Sequence, residues 1–536
     1  MPILNSRLVL SLEGINEMHM KTLVPKLLTL ILSVLSLFAI VTYNQPNYPV
    51  TWFDEGMALQ GALNLTKYGQ YAMRSSEGLR VLDQPLIANG PGVVIPISVV
   101  FHLWGIGLLQ ARILLAVYFV GTILFFFRIT SSYFGNLAAC MATFLLLAIP
   151  EQGLIFYGRL ALGNVPALMY FLAGLYFFSK LKKKKSTGYA IASGICFGLT
   201  LVTKGQYWIL IPALMLMMIM DALHYKQLGF KYGFTILLVA LLPSLIWLAV
   251  QFLLLGMNNF ADNLVAVKSS ASVTVFAFRS ERIPSNIWYL IRSGFMIFVL
   301  PGLVVAARGG FHRTMEGLFR FFVIIFIALW LVWYLFVSVG WHRYAFEAHS
   351  LGMIFAGDFF SRISSSVLNG RKEFGGSSLI KKIQYGGMTL LLIIASYWGI
   401  KSFEGQIQRI NKNADRTPQM FAEYLMANVP SRSIIESWEW ELDLLTPELI
   451  YHHPTNDWVD RETARIQFGD GVDINYDPLI FEPEYLIAGP FSKWTGIYSG
   501  ILADDCCIHI ATIGEYTLFK INSTANQPKE NGNPSR

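Results

Sequence analysis

The chain has 536 residues, of which 54% are hydrophobic and 14% charged. A soluble domain carries about 25% charged residues, so a string of soluble domains is excluded. The formal net charge of +7, from 41 Lys+Arg against 34 Asp+Glu, falls in short segments between apolar runs rather than on one face. That distribution marks membrane topology and argues against nucleic acid as a partner.

The stretch from Met20 to Tyr43 has a basic start in Lys21 and Lys26 and a long apolar run with no small-residue cleavage site, which reads as a retained anchor. Apolar segments then follow at 92–109, 113–130, 134–150, 165–179, 188–202, 206–221, 232–255, 288–307, 320–338, 350–361 and 385–400, after the first at 23–43. About 20 such residues cross a hydrocarbon core. The segment 92–109 carries Pro91, Pro96, His102 and three glycines, which suit a helix lying in the interface. With that segment flat, the inner loops collect Arg128, the lysines of 180–185, Lys226, Lys231, Arg308, Arg313, Arg320 and the basic residues of 362–382. The outer short loops then hold only Arg159, Lys204, Lys268, Arg279, Arg282 and Arg343. The positive-inside rule therefore predicts about eleven transmembrane helices, a cytoplasmic N-terminus and an extracytoplasmic C-terminal part.

Two regions are predicted outside: a loop at 44–112 and a domain from residue 401 to 522. In the latter, charge rises and turn signals appear at Gly469-Asp470-Gly471, Asn475, Pro478 and Pro483. Strands are expected at Ser433–Glu436, Tyr485–Ala488, Ile508–Ala511 and Tyr516–Ile521, with a helix at Pro418–Ala427, giving a small α/β domain. The tail 523–536 has a disordered composition. Cys140, Cys196, Cys506 and Cys507 make no disulfide framework, and His452-His453 lack an obvious third metal ligand.

The stretch Trp52-Phe53-Asp54-Glu55-Gly56 sets two carboxylates just beyond the first span. A carboxylate at a dry interface can serve as general base toward a hydroxyl, although Asp54 can equally cap the helix that follows. The outer loops add Arg159, Lys204, Arg279, Arg282, His342 and Arg343. Each alone reads as a snorkelling anchor, but several converging on one face make a phosphate clamp.

The acidic pair, the interfacial helix followed by Ala111-Arg112, and the GRLALGNVPAL, LTKGQYWILIPAL and WHRYAFEA stretches occur in this order over about residues 20–360. In this the chain resembles glycosyltransferase family 39, of the GT-C class, which includes protein O-mannosyltransferases and the lipid A aminoarabinose transferase. It departs from that pattern at Asn89-Gly90-Pro91-Gly92, where the family commonly has a His/Lys-Pro-Pro motif. It departs again at Asn164, where an acid is common, and at Gly56-Met57-Ala58, which lacks a basic residue. These departures leave the donor sugar and acceptor open.

The resemblance implies transfer of a sugar from a polyprenyl-phosphate donor to a lipid, glycan or protein acceptor at the outer membrane face, with inversion and with no cofactor expected. Asp54 is then the base and Glu55 its support or an acceptor ligand. Lys204 and Arg343 are the foremost donor-phosphate ligands, ahead of Arg159, Arg279 and Arg282, while His342, Tyr344 and Asn164 contact substrate. The lipid tail requires an apolar groove, which the aromatic-rich spans can line. Three competing readings remain open to the sequence: a secondary transporter, with Asp358 as the nearest intramembrane carboxylate, a polymerase or ligase using lipid diphosphate-linked glycans, and a non-catalytic scaffold.

Overall fold

A computed structural model of the chain describes residues 28–29, 31–75, 78–81, 89–182, 184–370, 379–469, 476–503 and 506–522. The start of the expected anchor, the turn at 470–475 and the tail 523–536 lie outside the described residues. The described residues up to Tyr43 belong to one compact unit, with an apolar helix at Ile31–Thr42, and residues from Asn44 onward form a second.

Within the second unit, helices dominate. Among the described residues, five are long and apolar enough to cross a membrane: Leu108–Phe134, Gly205–Tyr225, Phe230–Thr274, Met315–Phe336 and Gln384–Asn428. A bent pair, Ser280–Arg292 and Phe295–Gly310 at 63°, makes a sixth if counted as one span. Shorter apolar helices occupy Asn136–Leu147 and Thr187–Thr203. The chain is a multi-pass membrane protein, and the helices fall where apolar segments were expected.

Helix Pro91–Trp104 has 14 residues, about 21 Å of rise, too short for a hydrocarbon core of about 30 Å. It ends five residues before the predicted limit of 109. Gly105-Ile106-Gly107 interrupts the helix, Gly105 adopting φ +88°, and Leu108–Phe134 starts afresh. The predicted span 232–255 stops at Gly256, which has φ +72° inside the helical stretch Phe230–Thr274. Glycine tolerates that left-handed bend, and the more polar half beyond it reaches the C-terminal domain, where the Ser270 hydroxyl donates to Asp460 at 2.6 Å.

The C-terminal region carries a five-stranded sheet ordered Ile450–His452, Ile434–Ser437, Tyr485–Ala488, Tyr516–Ile521, Cys507–Ile513. The first three strands run parallel and the last two pair antiparallel. Phe421 and Leu425, from helix Thr417–Asn428, pack with Ile435, Ile487 and Leu518 in one core cluster. A second cluster around Trp438, Trp440, Leu486 and Tyr498 includes Phe53 and Met73 from far upstream. The sheet domain is thereby packed onto the helix that carries the acidic pair.

Candidate active site

Helix Phe53–Tyr68 begins after Trp52, whose indole has no acceptor to offer and leaves the first turn without a side-chain cap. Asp54 therefore does not cap the helix; both carboxylates fall in the first turn, where the positive helix end favours them. Successive helical positions diverge by about 100°, so Phe53, Asp54 and Glu55 face three different partners.

Glu55 faces Arg112. Arg112 Nε donates to Glu55 Oε1 at 2.9 Å and Nη2 to Oε2 at 2.6 Å, with both side chains fully buried. The Ala161 amide adds a bond to Oε1 at 2.7 Å, and Arg112 Nη1 donates to Gln45 Oε1 and the Pro46 carbonyl. Both Glu55 oxygens are engaged from inside the protein. Such a bidentate, doubly satisfied pair fixes geometry.

Asp54 faces Arg343, and the two form an ion pair through Oδ2 and Nη1. Their side chains remain 26% and 27% exposed, which leaves this pair open to an incoming molecule. Arg343 stands on the short turn His342–Ala345, held by the Trp330 indole donating to the Tyr344 carbonyl at 2.6 Å. Its guanidinium carbon lies 4.2 Å from the Trp341 ring centroid. Burial opposes the Arg343 charge, but the Asp54 carboxylate, with Tyr344 and Tyr157, overrides it and holds the group above its ordinary value. The Arg343 guanidinium also lies 5.8 Å from the Tyr344 ring centroid, and the Tyr344 phenol has its pKa pushed up to about 12, chiefly by burial.

Lys204 sits at the end of helix Thr187–Thr203, 4% exposed, with Nζ 2.7 Å from Glu347 Oε1. The second Glu347 oxygen has no hydrogen-bond partner among the described residues. Lys204 and Glu347 both act electrostatically on the groups around Arg343. Asp54, Arg343, Tyr344 and Lys204 therefore converge, and Tyr157, Gln206 and Glu347 join them.

Arg159 is fully buried and turns Nε and Nη2 to the Tyr48 carbonyl at 3.1 and 2.9 Å. Burial and the Arg112 charge lower its pKa to about 10. Arg279 and Arg282 bracket a short turn before helix Ile283–Arg292, Arg279 lying 4.0 Å from the exposed Glu281 carboxylate. His342 stacks on Tyr289 with ring centroids 4.4 Å apart. It is held below its usual range by burial and by Arg292 and Arg282. Asn164 opens helix Asn164–Lys180, 7% exposed, its amide nitrogen lacking a partner among the described residues.

Tyr289 also lines a cavity of about 600 Å³ with apolar walls from Ile393, Ile394, Tyr397 and Trp398. Arg292 and Lys401 stand at its lining, and Arg292 pairs with Glu151 at 2.9 Å. Tyr289 thus connects an apolar cavity with cations to the turn bearing Arg343. Among the described residues no group of three or more His, Cys, Asp or Glu is placed to hold a metal ion. His453 is consumed between the Ser437 carbonyl and Asp443. Asp358 is locked between Arg320 and Arg362, at 3.1 and 2.8 Å, and so offers no free intramembrane carboxylate for ion coupling.

Sequence reasoning passed over Glu347, Gln206, Tyr157 and Tyr289. Glu347 carried a signal: it is a lone acid entering an apolar helix, and such charges pair across the bundle. The other three are uncharged and looked like ordinary interface residues.

Comparison with known proteins sets this geometry in a class. Residues 87–247 match the family model of dolichyl-phosphate-mannose-protein mannosyltransferase. The fold is similar to that of ArnT from Cupriavidus metallidurans bound to undecaprenyl phosphate, with a TM-score of 0.64 at 12% identity over 94% of this chain and 99% of that one. The apo state of ArnT matches at a TM-score of 0.61 and 13% identity, over 94% of this chain and 100% of the other. The oligosaccharyltransferase AglB from Archaeoglobus fulgidus, in complex with an inhibitory peptide and a dolichol-phosphate, matches at 0.54 and 11% identity over 93% of this chain and 75% of that one. No curated protein matches in sequence. The chain has the fold of these proteins, and its residues 87–247 carry the mannosyltransferase family's match, in line with the resemblance to the GT-C class read from its motifs.

Proposed function

We propose that this protein transfers a sugar from a polyprenyl-phosphate donor to a hydroxyl of a lipid, glycan or protein acceptor at the outer face of the membrane, with inversion at the anomeric carbon. The single observation that carries the reading is the solvent-open Asp54–Arg343 pair beside Lys204, on a fold shared with proteins solved with polyprenyl phosphates.

The acceptor oxygen attacks the anomeric carbon while the bond from that carbon to the phosphate oxygen breaks. The acceptor proton passes to Asp54, and polyprenyl phosphate departs with the electron pair. The phosphodiester starts with one negative charge and gains a second as it leaves, so cations placed there act most strongly late in the reaction. Arg343 and Lys204 supply them, with Arg159, Arg279 and Arg282 shaping the wider field. Glu55 supports Asp54 through Arg112, while His342, Tyr344 and Asn164 meet the sugar or acceptor.

Before the donor arrives, Arg343 occupies the Asp54 carboxylate. Donor phosphate competes with Asp54 for Arg343, so binding of the donor itself releases the base. The cavity lined by Tyr289 and Trp398 takes the lipid chain, whose phosphate meets cations at its lining. In this reading about eleven spans over 1–400 place the N-terminus in the cytoplasm and the 401–522 domain outside.

Native mass spectrometry of the purified chain tests the donor class. Co-isolation of a polyprenyl-phosphate sugar, lost in Arg343→Ala, is the expected result. Retention of only diphosphate-linked glycans assigns the protein to the polymerase and ligase class instead.

A further inference from the structure

We infer that the C-terminal domain sets the position of the reaction carboxylate, with Phe53 as the positioning residue and an aromatic cage around Phe491 as its seat. The inference rests on the reading of Asp54 as base.

Phe53 precedes Asp54 in the same helical turn and is 5% exposed. Its ring stacks on Phe491 at 3.6 Å between centroids and 16° between planes, with Trp440 and Trp438 edge-on at 6.0 and 6.4 Å. It thus belongs to the second core cluster of the sheet domain as fully as that domain's own residues do. Gly56, one turn on, makes the contact intimate: a Cβ there would lie 2.4 Å from the Glu441 amide nitrogen and 2.5 Å from the Trp440 carbonyl carbon. Backbone meets backbone, and neither side can yield cheaply.

The cage is itself braced. Glu439, buried, accepts from the amides of Gly489, Phe491 and Ser492 at 3.1, 3.1 and 2.9 Å and from the Ser492 hydroxyl at 2.8 Å. One carboxylate therefore fixes the turn that presents Phe491. On the opposite side of the helix, Glu55 is fixed to Arg112 in the transmembrane part. Asp54 stands between an anchor in each part, and both must hold for it to address Arg343. General-base chemistry tolerates little displacement, and an error near 1 Å costs about 100-fold. The first turn cannot tilt at Phe53 without moving Asp54.

Four variants of the full-length chain test this: Phe491→Ala, Phe491→Tyr, Gly56→Ala and Asp54→Asn. The measurements are kcat and KM for a panel of hexose and pentose sugars linked to undecaprenyl phosphate, with affinity for undecaprenyl phosphate read separately. Positioning requires that Phe491→Ala and Gly56→Ala lower kcat by about 10- to 100-fold while undecaprenyl phosphate affinity does not weaken. Phe491→Tyr, which keeps the stack, restores turnover. A purely structural cage would lower the amount of folded protein and leave kcat of the folded fraction unchanged, and that result overturns the inference. Where Phe491→Ala or Gly56→Ala does not fold, the milder Phe491→Leu, which keeps an apolar side chain but loses the stack, decides alone. If Asp54→Asn is inactive while both cage variants turn over normally, the positioning inference fails and the base reading stands. Full turnover in Asp54→Asn removes the base and the inference together.

Discussion

Asp54 and Arg343, 289 residues apart in the chain, meet as an ion pair that stays about a quarter exposed. Directly beside it, Glu55 and Arg112 form a pair with no exposure at all. Two adjacent carboxylates on one helix turn thus sit in opposite environments: one is sealed and saturated with donors, the other is open and held by a single cation. That difference divides the work, since a sealed carboxylate holds geometry and an open one can exchange its partner.

Arg343 is not replaceable by lysine. Its planar guanidinium pairs with Asp54 and lies over Trp341, and an ammonium reproduces neither the fork nor the stacking. Arg343→Lys is expected to weaken binding of undecaprenyl phosphate by about 1.5–3 kcal/mol, the worth of one hydrogen bond to a charged group. Titration of the detergent-purified variant measures this, and wild-type affinity would remove Arg343 from the phosphate site.

Removing Glu55 should unfold the region rather than merely slow it. Glu55→Ala leaves Arg112 buried with a lost counter-charge, a loss of about 3–5 kcal/mol. Thermal unfolding in detergent should show a clear drop in midpoint, partly recovered by the double change Glu55→Leu with Arg112→Met. An unaltered midpoint in Glu55→Ala would show that the pair is not structural.

Lys204 has two possible employers, its buried partner Glu347 and the donor phosphate. The double variant Lys204→Met with Glu347→Gln removes both charges, so no buried ion is stranded. It is expected to fold and yet to bind undecaprenyl phosphate more weakly than wild type. Equal affinity would assign Lys204 to structure alone.

The C-terminal domain should lose stability as pH rises. Glu436, buried and hydrogen-bonded by Tyr476 and Tyr498, and Glu441, beside Glu439, have their pKa values pushed up to about 8, mainly by burial. Between the ordinary carboxylate range and that value the folded state keeps protons that the unfolded chain has released. Stability therefore falls as pH rises across that window, because the native state binds the extra protons. Thermal melts of the full chain, read by tryptophan fluorescence, should show a higher midpoint for this domain at pH 5.5 than at pH 8.5. Glu436→Gln should flatten that dependence, and an identical slope in the variant would contradict the assignment.

Much of the fold was legible because apolar length is a one-dimensional signal. Tyr485–Ala488 and Tyr516–Ile521 are strands at the predicted limits, and Thr417–Asn428 encloses the predicted helix. The departures have local causes. Met315–Phe336 starts before the apolar run at 320 because Thr314 caps it, its hydroxyl accepting from the Gly317 amide. The strand Ile450–His452 was missed, being only three residues long. At the site, residue types were readable and partners were not. Nothing in the sequence says that Lys204 meets Glu347 across 143 residues, or that Phe53 faces Phe491 rather than lipid. Such pairings belong to tertiary packing, which leaves no periodicity behind.

The most direct measurement is release of undecaprenyl phosphate from an undecaprenyl-phosphate-linked sugar by the purified full-length chain, supplied with an acceptor extract and compared between wild type and Asp54→Asn. The account predicts acceptor-dependent release by the wild type and a loss of about 100- to 10,000-fold in the variant, the usual worth of a general base, with undecaprenyl phosphate affinity at least as high as wild type because Arg343 is no longer held by Asp54. Near-normal release by Asp54→Asn in folded protein would contradict it.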